Sequence, residues 1–535
     1  MTSQIQKVLL LDGIDPVCGQ VLMDAGISVT THCKLSKEQL LNEITNYDAV
    51  VVRSATKVTA EVLGASERLR VVGRAGTGVD NIDVPAATRR GIIVMNTPGG
   101  NTLSAAEHTC AMMCSMARHI PQASAALKAG TWDRKTYLGS ELHGKTLAIV
   151  GLGRIGREVA KRMQAFGMTT IGYDPIIPKE AAAEWGVESL PLKEVWPRAD
   201  YITVHTPLLP HTRNLINDTV LASCKKGVKI VNVARGGIVD EAALLRALKS
   251  GQCGGAALDV FVEEPPTDLA LCSHPKVICT PHLGANTVEA QHRVACEMAT
   301  QLADMVKGKP LVGVVNAPAL TNATNESLKP WIELAQALGC LAKHLSQLNN
   351  DNTTPIKVCL DLYGDEMDKM KELVGPAVLV GMLRGITPNG TNMVNAPLLA
   401  KERGITLSLT SHSHQMPPVP AAAPDALQVR VIKGSSTHIL LGNAASGQAT
   451  LYSLDGCVWE SGLTLGRNML FFSASPSVSP LATIATQLED RQAAVTSLLS
   501  SAPTDKEMWH VARTEATVSL RQAIPGTRLM AQVTF

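Results

Sequence analysis

Short apolar runs separated by amphipathic stretches make this chain an alternation of strands and helices from its first residues. Residues 8–11, 49–53 and 70–73 are rich in Val and Leu and too short for buried helices, so they predict buried strands. Helical spacing over 37–44 and 59–65 fills the gaps between them. A fourth run, 92–95, ends in the turn cluster Asn96-Thr-Pro98-Gly-Gly100, after which 103–118 reads as a long helix entering a second domain. There the runs 146–150, 201–205, 229–232, 256–260 and 277–280, with a strand ending at Asp174, predict six strands of a doubly wound sheet. A helix is predicted over 241–250, and another over 288–306 leads back to the first domain.

Past residue 313 the texture changes. Polar segments at 321–327 and 347–354 and the Pro/Ala-rich stretch 416–424 predict loops. Strand-like runs recur at 356–362, 405–409, 427–432 and 437–441, with a helix over 331–345. A last segment of about 80 residues predicts strands at 456–459, 470–473 and 508–512 and a helix over 480–499, a small α+β unit suited to regulation or assembly.

Composition narrows the classes of function. At 535 residues the chain has room for about three or four domains. Its cores must be built from Ala, Val, Ile and Leu, because only 3% of residues are aromatic while 45% are hydrophobic. A net charge of +2 without long basic runs argues against nucleic acid or an anionic membrane as partner. The run 8–11 is too short for a signal-peptide core, and no stretch approaches the roughly 20 apolar residues of a membrane span. Twelve cysteines without paired C-x-x-C spacing predict reduced thiols and a cytoplasmic protein.

The chemistry begins at Gly151-Leu-Gly153-Arg154-Ile155-Gly156, which follows a strand and opens an amphipathic helix. Gly151 permits the tight turn, Gly153 lets backbone approach a pyrophosphate, and Gly156 lets helix and sheet pack closely, with the helix amino terminus facing the anion. Asp174, eighteen positions past Gly156, would accept hydrogen bonds from the adenosine ribose and repel a 2′-phosphate, so the cofactor expected is NAD and not NADP. The fold class expected is α/β: a doubly wound Rossmann-type domain inserted in a flavodoxin-like substrate domain, followed by two α+β regulatory-type domains.

Three residues stand just beyond three strands of that sheet: Arg235, Glu264 and His282. Ligands of open parallel sheets bind beyond the carboxyl ends of the strands, so all three can face one cleft. His282 suits proton exchange with a hydroxyl or carbonyl oxygen, Glu264 would orient its ring, and Arg235 offers a planar fork to a carboxylate. Together they predict hydride transfer to or from a 2-hydroxy acid. His412 and His414 lack ligand-spaced neighbours, so a loop is expected there and no metal.

These motifs, with Tyr173-Asp174-Pro175, Val231-Asn-Val-Ala-Arg235-Gly-Gly-Ile-Val-Asp240, Ala257-Leu-Asp259-Val-Phe-Val-Glu-Glu264-Pro and Thr280-Pro-His282-Leu-Gly284-Ala, resemble the D-isomer-specific 2-hydroxy acid dehydrogenase family. Arg53-Ser-Ala-Thr-Lys-Val-Thr59, Val72-Gly-Arg74-Ala-Gly76-Thr77-Gly-Val-Asp80-Asn and Met95-Asn-Thr-Pro98 are similar to its long, vertebrate-type branch, and the resemblance is dense from residue 7 to 318. It implies a phosphorylated 2-hydroxy acid as substrate, a homodimer or homotetramer, and catalytic roles for Arg235, Glu264 and His282. It further implies NAD contacts from Thr77, the Gly151–Gly156 turn, Asp174, Thr206, Val233, Ala234, Arg235, Asp259, His282, Leu283, Gly284 and Ala285. For the substrate, Arg53, Arg74, Gly76, Asn101 and Arg134 are the candidates, the guanidinium groups being suited to phosphate. The division expected is a substrate domain (1–98 and 287–313), a nucleotide domain (99–286), an allosteric-type domain (314–452) and an ACT-like domain (453–535). A glyoxylate or hydroxypyruvate reductase, or a non-catalytic NAD-sensing corepressor or scaffold, would share much of this pattern; turnover of a phosphorylated substrate separates them.

Overall fold

The computed structural model describes residues 5–321, 326–348, 354–386, 390–412, 425–444, 446–477, 480–490, 492, 494–517 and 526–535. The first sheet holds β1 (Lys7–Leu10), β2 (Ser28–Thr31), β3 (Ala49–Val52), β4 (Val71–Arg74) and β5 (Ile93–Asn96) in the order β2-β1-β3-β4-β5, all parallel. This is the flavodoxin-like order. Sequence reading missed β2, whose Ser-Val-Thr-Thr carries little hydrophobic signal because it is an exposed edge strand.

The second sheet holds β6 (Thr146–Val150), β7 (Thr169–Tyr173), β8 (Glu188–Ser189), β9 (Tyr201–Val204), β10 (Val228–Asn232), β11 (Cys253–Leu258) and β12 (Val277–Cys279). Its order is β12-β11-β10-β9-β6-β7-β8, again wholly parallel, with the strand order reversing between β6 and β9. Six strands were expected; the seventh, β8, is two residues long at the edge, too short to leave a pattern.

Helix Val288–Val306 packs on helix Val17–Asp24 and places Met298 against Gly73 of β4. Farther on, Val315 N donates to Val94 O, and Asn316 Oδ1 accepts from Val94 N, so the returning chain lines the edge of β5. The two crossings between domains lie side by side: Arg293 Nε donates to Gly100 O at 3.1 Å, and the hydroxyls of Ser104 and Thr287 are 2.7 Å apart.

A third sheet holds β13 (Ile356–Tyr363), β14 (Ile405–His412), β15 (Ala426–Lys433), β16 (Ser436–Asn443), β17 (Thr450–Leu454) and β18 (Cys457–Thr464), ordered β14-β13-β15-β16-β17-β18. Only β13 and β14 are parallel, and helices Lys329–Leu345 and Lys371–Leu383 contribute to its core. The boundary expected at 452 cuts through β17, and strand pairing carries this sheet to Thr464. His412 ends β14 rather than lying in a loop; its Nε2 is 3.0 Å from Asp361 Oδ1. His414 and the stretch 416–424 lie outside the described residues.

The fourth sheet, ordered β20-β21-β19-β22, is antiparallel and comprises β19 (Asn468–Ala474), β20 (Val495–Ser500), β21 (Met508–Thr514) and β22 (Arg528–Thr534). The helix expected over 480–499 ends at Glu489. Ile484, Leu488, Val495 and Leu498 fit one helical stripe, but Gln492 takes a positive φ of 55° and the second half turns back as β20, meeting the same core from the sheet.

One continuous apolar core runs from β1, β3 and β4 through Val288–Val306 and the third unit to Phe471 and Trp509 of the tail, while the nucleotide domain has two cores of its own. Met298→Ala, at a fully buried position of the shared core, is expected to cost about 2–5 kcal/mol. A fall in the thermal midpoint of the full chain checks it.

Candidate active site

The Gly-rich turn leaves β6 at Gly151, whose φ is 97°; a Cβ there would stand 2.6 Å from His205 O. A Cβ on Gly156 would lie 2.1 Å from Gly151 O, whereas Gly153 faces open space. Gly153 is also the N-cap of helix Arg154–Ala165 and supplies no side-chain cap, so the first amides of the helix are left for an anion. Asp174 closes the opposite side, its carboxylate accepting from Leu152 N at 2.8 Å and from Ile176 N at 2.9 Å. Thr206 Oγ1 is buried at the same strand ends, and among the described residues nothing hydrogen-bonds it. A cradle of bare backbone, a free helix terminus and an unpaired buried hydroxyl fit a dinucleotide. Arg154 and the half-buried Ile155 form the first turn of that helix, and Arg154 reaches Pro98 O at 3.5 Å.

The three residues beyond β10, β11 and β12 meet as their placement predicts. His282 Nδ1 lies 2.7 Å from Glu264 Oε2, and Glu264 Oε1 accepts from Phe261 N at 3.1 Å. Burial alone would raise the Glu264 carboxyl, but the hydrogen bond and charge of His282, the Phe261 amide and Arg235 outweigh it and hold the carboxyl below its ordinary value. Arg235 follows Val233 and Ala234; its Nη1 donates to Ala234 O at 2.6 Å and its Nε to Asp80 Oδ2 at 2.8 Å.

Arg235 and His282 line a cavity of about 240 Å³ together with Arg53, Arg74, Gly76, Thr77, Asn101, Leu283 and Ala285. Thr77 Oγ1 donates to Asn101 Oδ1 at 2.6 Å. Burial, then Arg235 and Arg53, push the Arg74 guanidinium down to about 10, and burial lowers Arg53 as well. Arg74 still carries its charge at neutral pH, so three cations converge on one small space that favours a multiply charged anion.

One expected site residue stands apart from this cavity, and another is enclosed beside it. Arg134 lies in an exposed surface turn, where Asp133 caps the neighbouring amides, and does not reach this cavity. Asp259 is 1% exposed, and its oxygens are taken up by Thr280 Oγ1 at 2.6 Å, Leu283 N at 2.7 Å and Gly284 N at 2.8 Å. It therefore shapes the turn bearing His282. Sequence reading missed His108, 3.3 Å from Asp259, and Asp80, the partner of Arg235. Asp80 sits inside a motif already singled out, but no local spacing signals a partner 155 positions away.

The model of the D-isomer specific 2-hydroxyacid dehydrogenase NAD binding domain matches residues 110–284, and that of the D-3-phosphoglycerate dehydrogenase intervening domain matches 327–450. D-3-phosphoglycerate dehydrogenase of Rattus norvegicus is 51% identical over 513 residues, which is 95% of this chain and 95% of that protein. The chain belongs to the D-3-phosphoglycerate dehydrogenase family. The Homo sapiens member of that family is 50% identical with the same coverage. Among solved structures, the D-lactate dehydrogenase from Aquifex aeolicus complexed with NAD and lactic acid is 30% identical with a TM-score of 0.52, over 56% of this chain and 96% of that one. The NAD-binding model spans Arg235, Glu264 and His282, whereas Arg53, Arg74 and Asp80 come from the part of the D-3-phosphoglycerate dehydrogenase fold that precedes it.

His205, beside Gly151 and Thr206, is pushed down to about 4 by burial. Its folded value lies below the ordinary 6.5, so the unfolded chain takes up the proton first. Stability is then full above pH 6.5 and falls as pH drops from 6.5 towards 4. His205→Gln is expected to shrink the loss of thermal midpoint between pH 7 and pH 5.

Proposed function

We propose that this chain catalyses the reversible NAD-dependent oxidation of 3-phospho-D-glycerate to 3-phosphooxypyruvate, the first step of L-serine biosynthesis. The observation that carries this reading is the convergence of Arg53, Arg74 and Arg235 on the cavity that His282 also lines, in a chain half identical to D-3-phosphoglycerate dehydrogenases. NAD, when bound, supplies the hydride acceptor.

The residues divide the work by their chemistry. Arg235 offers its fork to the carboxylate, which places the neighbouring hydroxyl carbon. Arg53 and Arg74, from the ends of β3 and β4, take the phosphate. His282 has Nδ1 committed to Glu264, so Nε2 is the nitrogen left to accept the hydroxyl proton in oxidation and return it in reduction. Glu264 fixes the ring and steadies the imidazolium that forms. Gly151–Gly156 and the helix after them would hold the pyrophosphate, and Asp174 would favour NAD over NADP by meeting the ribose hydroxyls. Closure about the crossings at 98–102 and 284–290 would bring the substrate-side arginines onto the ligand and expel water.

The twelve cysteines are free thiols, which suits the reducing cytoplasm. Trp132 is 78% and Leu138 84% exposed in the surface segment carrying Arg134, large apolar side chains that suit burial against a second copy of this chain and so a homo-oligomer. The unit carrying β19 to β22 is read as the regulatory, ACT-like domain, beginning near residue 465.

Steady-state assay with 3-phosphoglycerate and NAD tests the reading. Turnover is expected, with unphosphorylated glycerate a far poorer substrate; equal rates on the two would defeat phosphate recognition by Arg53 and Arg74. His282→Ala should lower kcat by about 10²-fold or more while leaving NAD affinity, followed by fluorescence titration, essentially unchanged.

A further inference from the structure

Arg235 reaches its place from the nucleotide domain, yet one of its two anchors comes from the other side of the cleft. Nη1 is held by Ala234 O of its own strand end at 2.6 Å, and Nε by Asp80 Oδ2 at 2.8 Å. Asp80 belongs to the loop after β4, and the guanidinium lies against the bare backbone of that same loop: a Cβ on Gly78 would stand 1.7 Å from Arg235 Nη2. The next residue serves a second arginine. Asn81 Oδ1 accepts from Arg74 Nε at 3.2 Å, while Asn81 Nδ2 donates to Arg53 O and Thr56 O, each at 2.7 Å. One short loop thus sets the direction of arginines from both sides of the cavity.

Stability does not account for Asp80. Its side chain is 62% exposed, and exposed ion pairs contribute little to folding. Affinity does not account for it either, because a carboxylate beside three guanidinium groups repels the anion they attract. What it supplies is direction: with Nε and one Nη1 hydrogen bond spent, the remaining N–H groups of the fork are the ones left for a ligand.

We propose that Asp80 is a positioning residue that acts across the cleft, aligning the Arg235 fork for the substrate carboxylate when the two domains close. This rests on the reading of Arg235 as the carboxylate-binding group. Closure and alignment become one event, since Asp80 and Gly78 travel with the substrate domain and Arg235 with the nucleotide domain.

The test compares full-length wild type, Asp80→Asn, Asp80→Ala and Asp80→Glu with 3-phosphoglycerate and NAD, and repeats Asp80→Asn in an Arg235→Lys background. Asp80→Ala and Asp80→Asn are expected to lower kcat roughly tenfold or more through misalignment, with partial recovery in Asp80→Glu. KM should shift by no more than about threefold, because Arg53 and Arg74 still grip the phosphate and a repelling charge is gone. Inorganic sulfate should inhibit the Ala and Asn variants more strongly than wild type. In the Arg235→Lys background the same substitution should cost less than about twofold, since its partner in the fork is missing. Equal losses in both backgrounds, or a kcat within twofold of wild type in Asp80→Asn, would overturn the proposal, and melting curves of the isosteric Asn variant separate either result from misfolding. A wild-type chain inactive on 3-phosphoglycerate would instead overturn the functional reading, and the positioning role with it.

Discussion

The buried carboxylate of Asp259 is the constraint on which the candidate active site depends. It sits just past β11 at 1% exposure and accepts from the Thr280 hydroxyl and from the backbone amides of Leu283 and Gly284, with His108 at 3.3 Å. Burial works against its charge, but these donors outweigh it and hold the carboxyl below its ordinary value. His282 N also donates to Asp259 O at 2.9 Å. His282 itself has a φ of 56°, a conformation that costs a non-glycine residue of order 1–3 kcal/mol and persists where neighbours over-determine it. The strained turn and the buried charge thus explain each other: the turn brings two amides onto one carboxylate, and the carboxylate keeps the imidazole facing Glu264.

The cavity beside that turn gathers like charges in a partly buried space. Asp12, Asp80 and Glu264 are the carboxylates that face Arg53, Arg74 and Arg235, and Arg74 is depressed first by burial and then by the other two guanidinium groups. A multiply charged anion relieves such a cluster. The guanidinium of Arg74 donates to Asn81 and Ala75 and that of Arg235 to Ala234 and Asp80, which fixes the direction of both forks.

What the sequence made legible follows the range of each signal. The dinucleotide turn is written in adjacent residues, and Arg235, Glu264 and His282 can be placed because strand ends of a parallel sheet share one edge. Edge strands β2 and β8 escaped because exposed or very short strands need no apolar alternation, and β20 was read as helix because its apolar positions continue the stripe of the preceding helix. Asp259 is legible as a residue beyond a strand end, while the donors that hold it come from residues 108, 280, 283 and 284, most of them distant in the chain and without a local signal. Asp80 was visible as a residue and invisible as a partner.

The distribution of apolar cores decides which parts can move. The first sheet, the helix Val288–Val306, the third unit and part of the tail share one continuous core, and the nucleotide domain keeps two separate ones. The third unit is also tied to the first domain through Asn392 Nδ2 to Gly91 O at 2.9 Å and Arg89 to Glu402 at 2.6 Å. Sliding within a shared core costs packing at every step, whereas the paired crossings at Gly100 and Arg293 join the two sides without a common core. The natural division of the molecule therefore sets the nucleotide domain on one side and everything else on the other. Arg53, Arg74 and Asp80 fall on the second side, Arg235, Glu264 and His282 on the first, so the cavity is assembled across a boundary that, among the described residues, no apolar core spans.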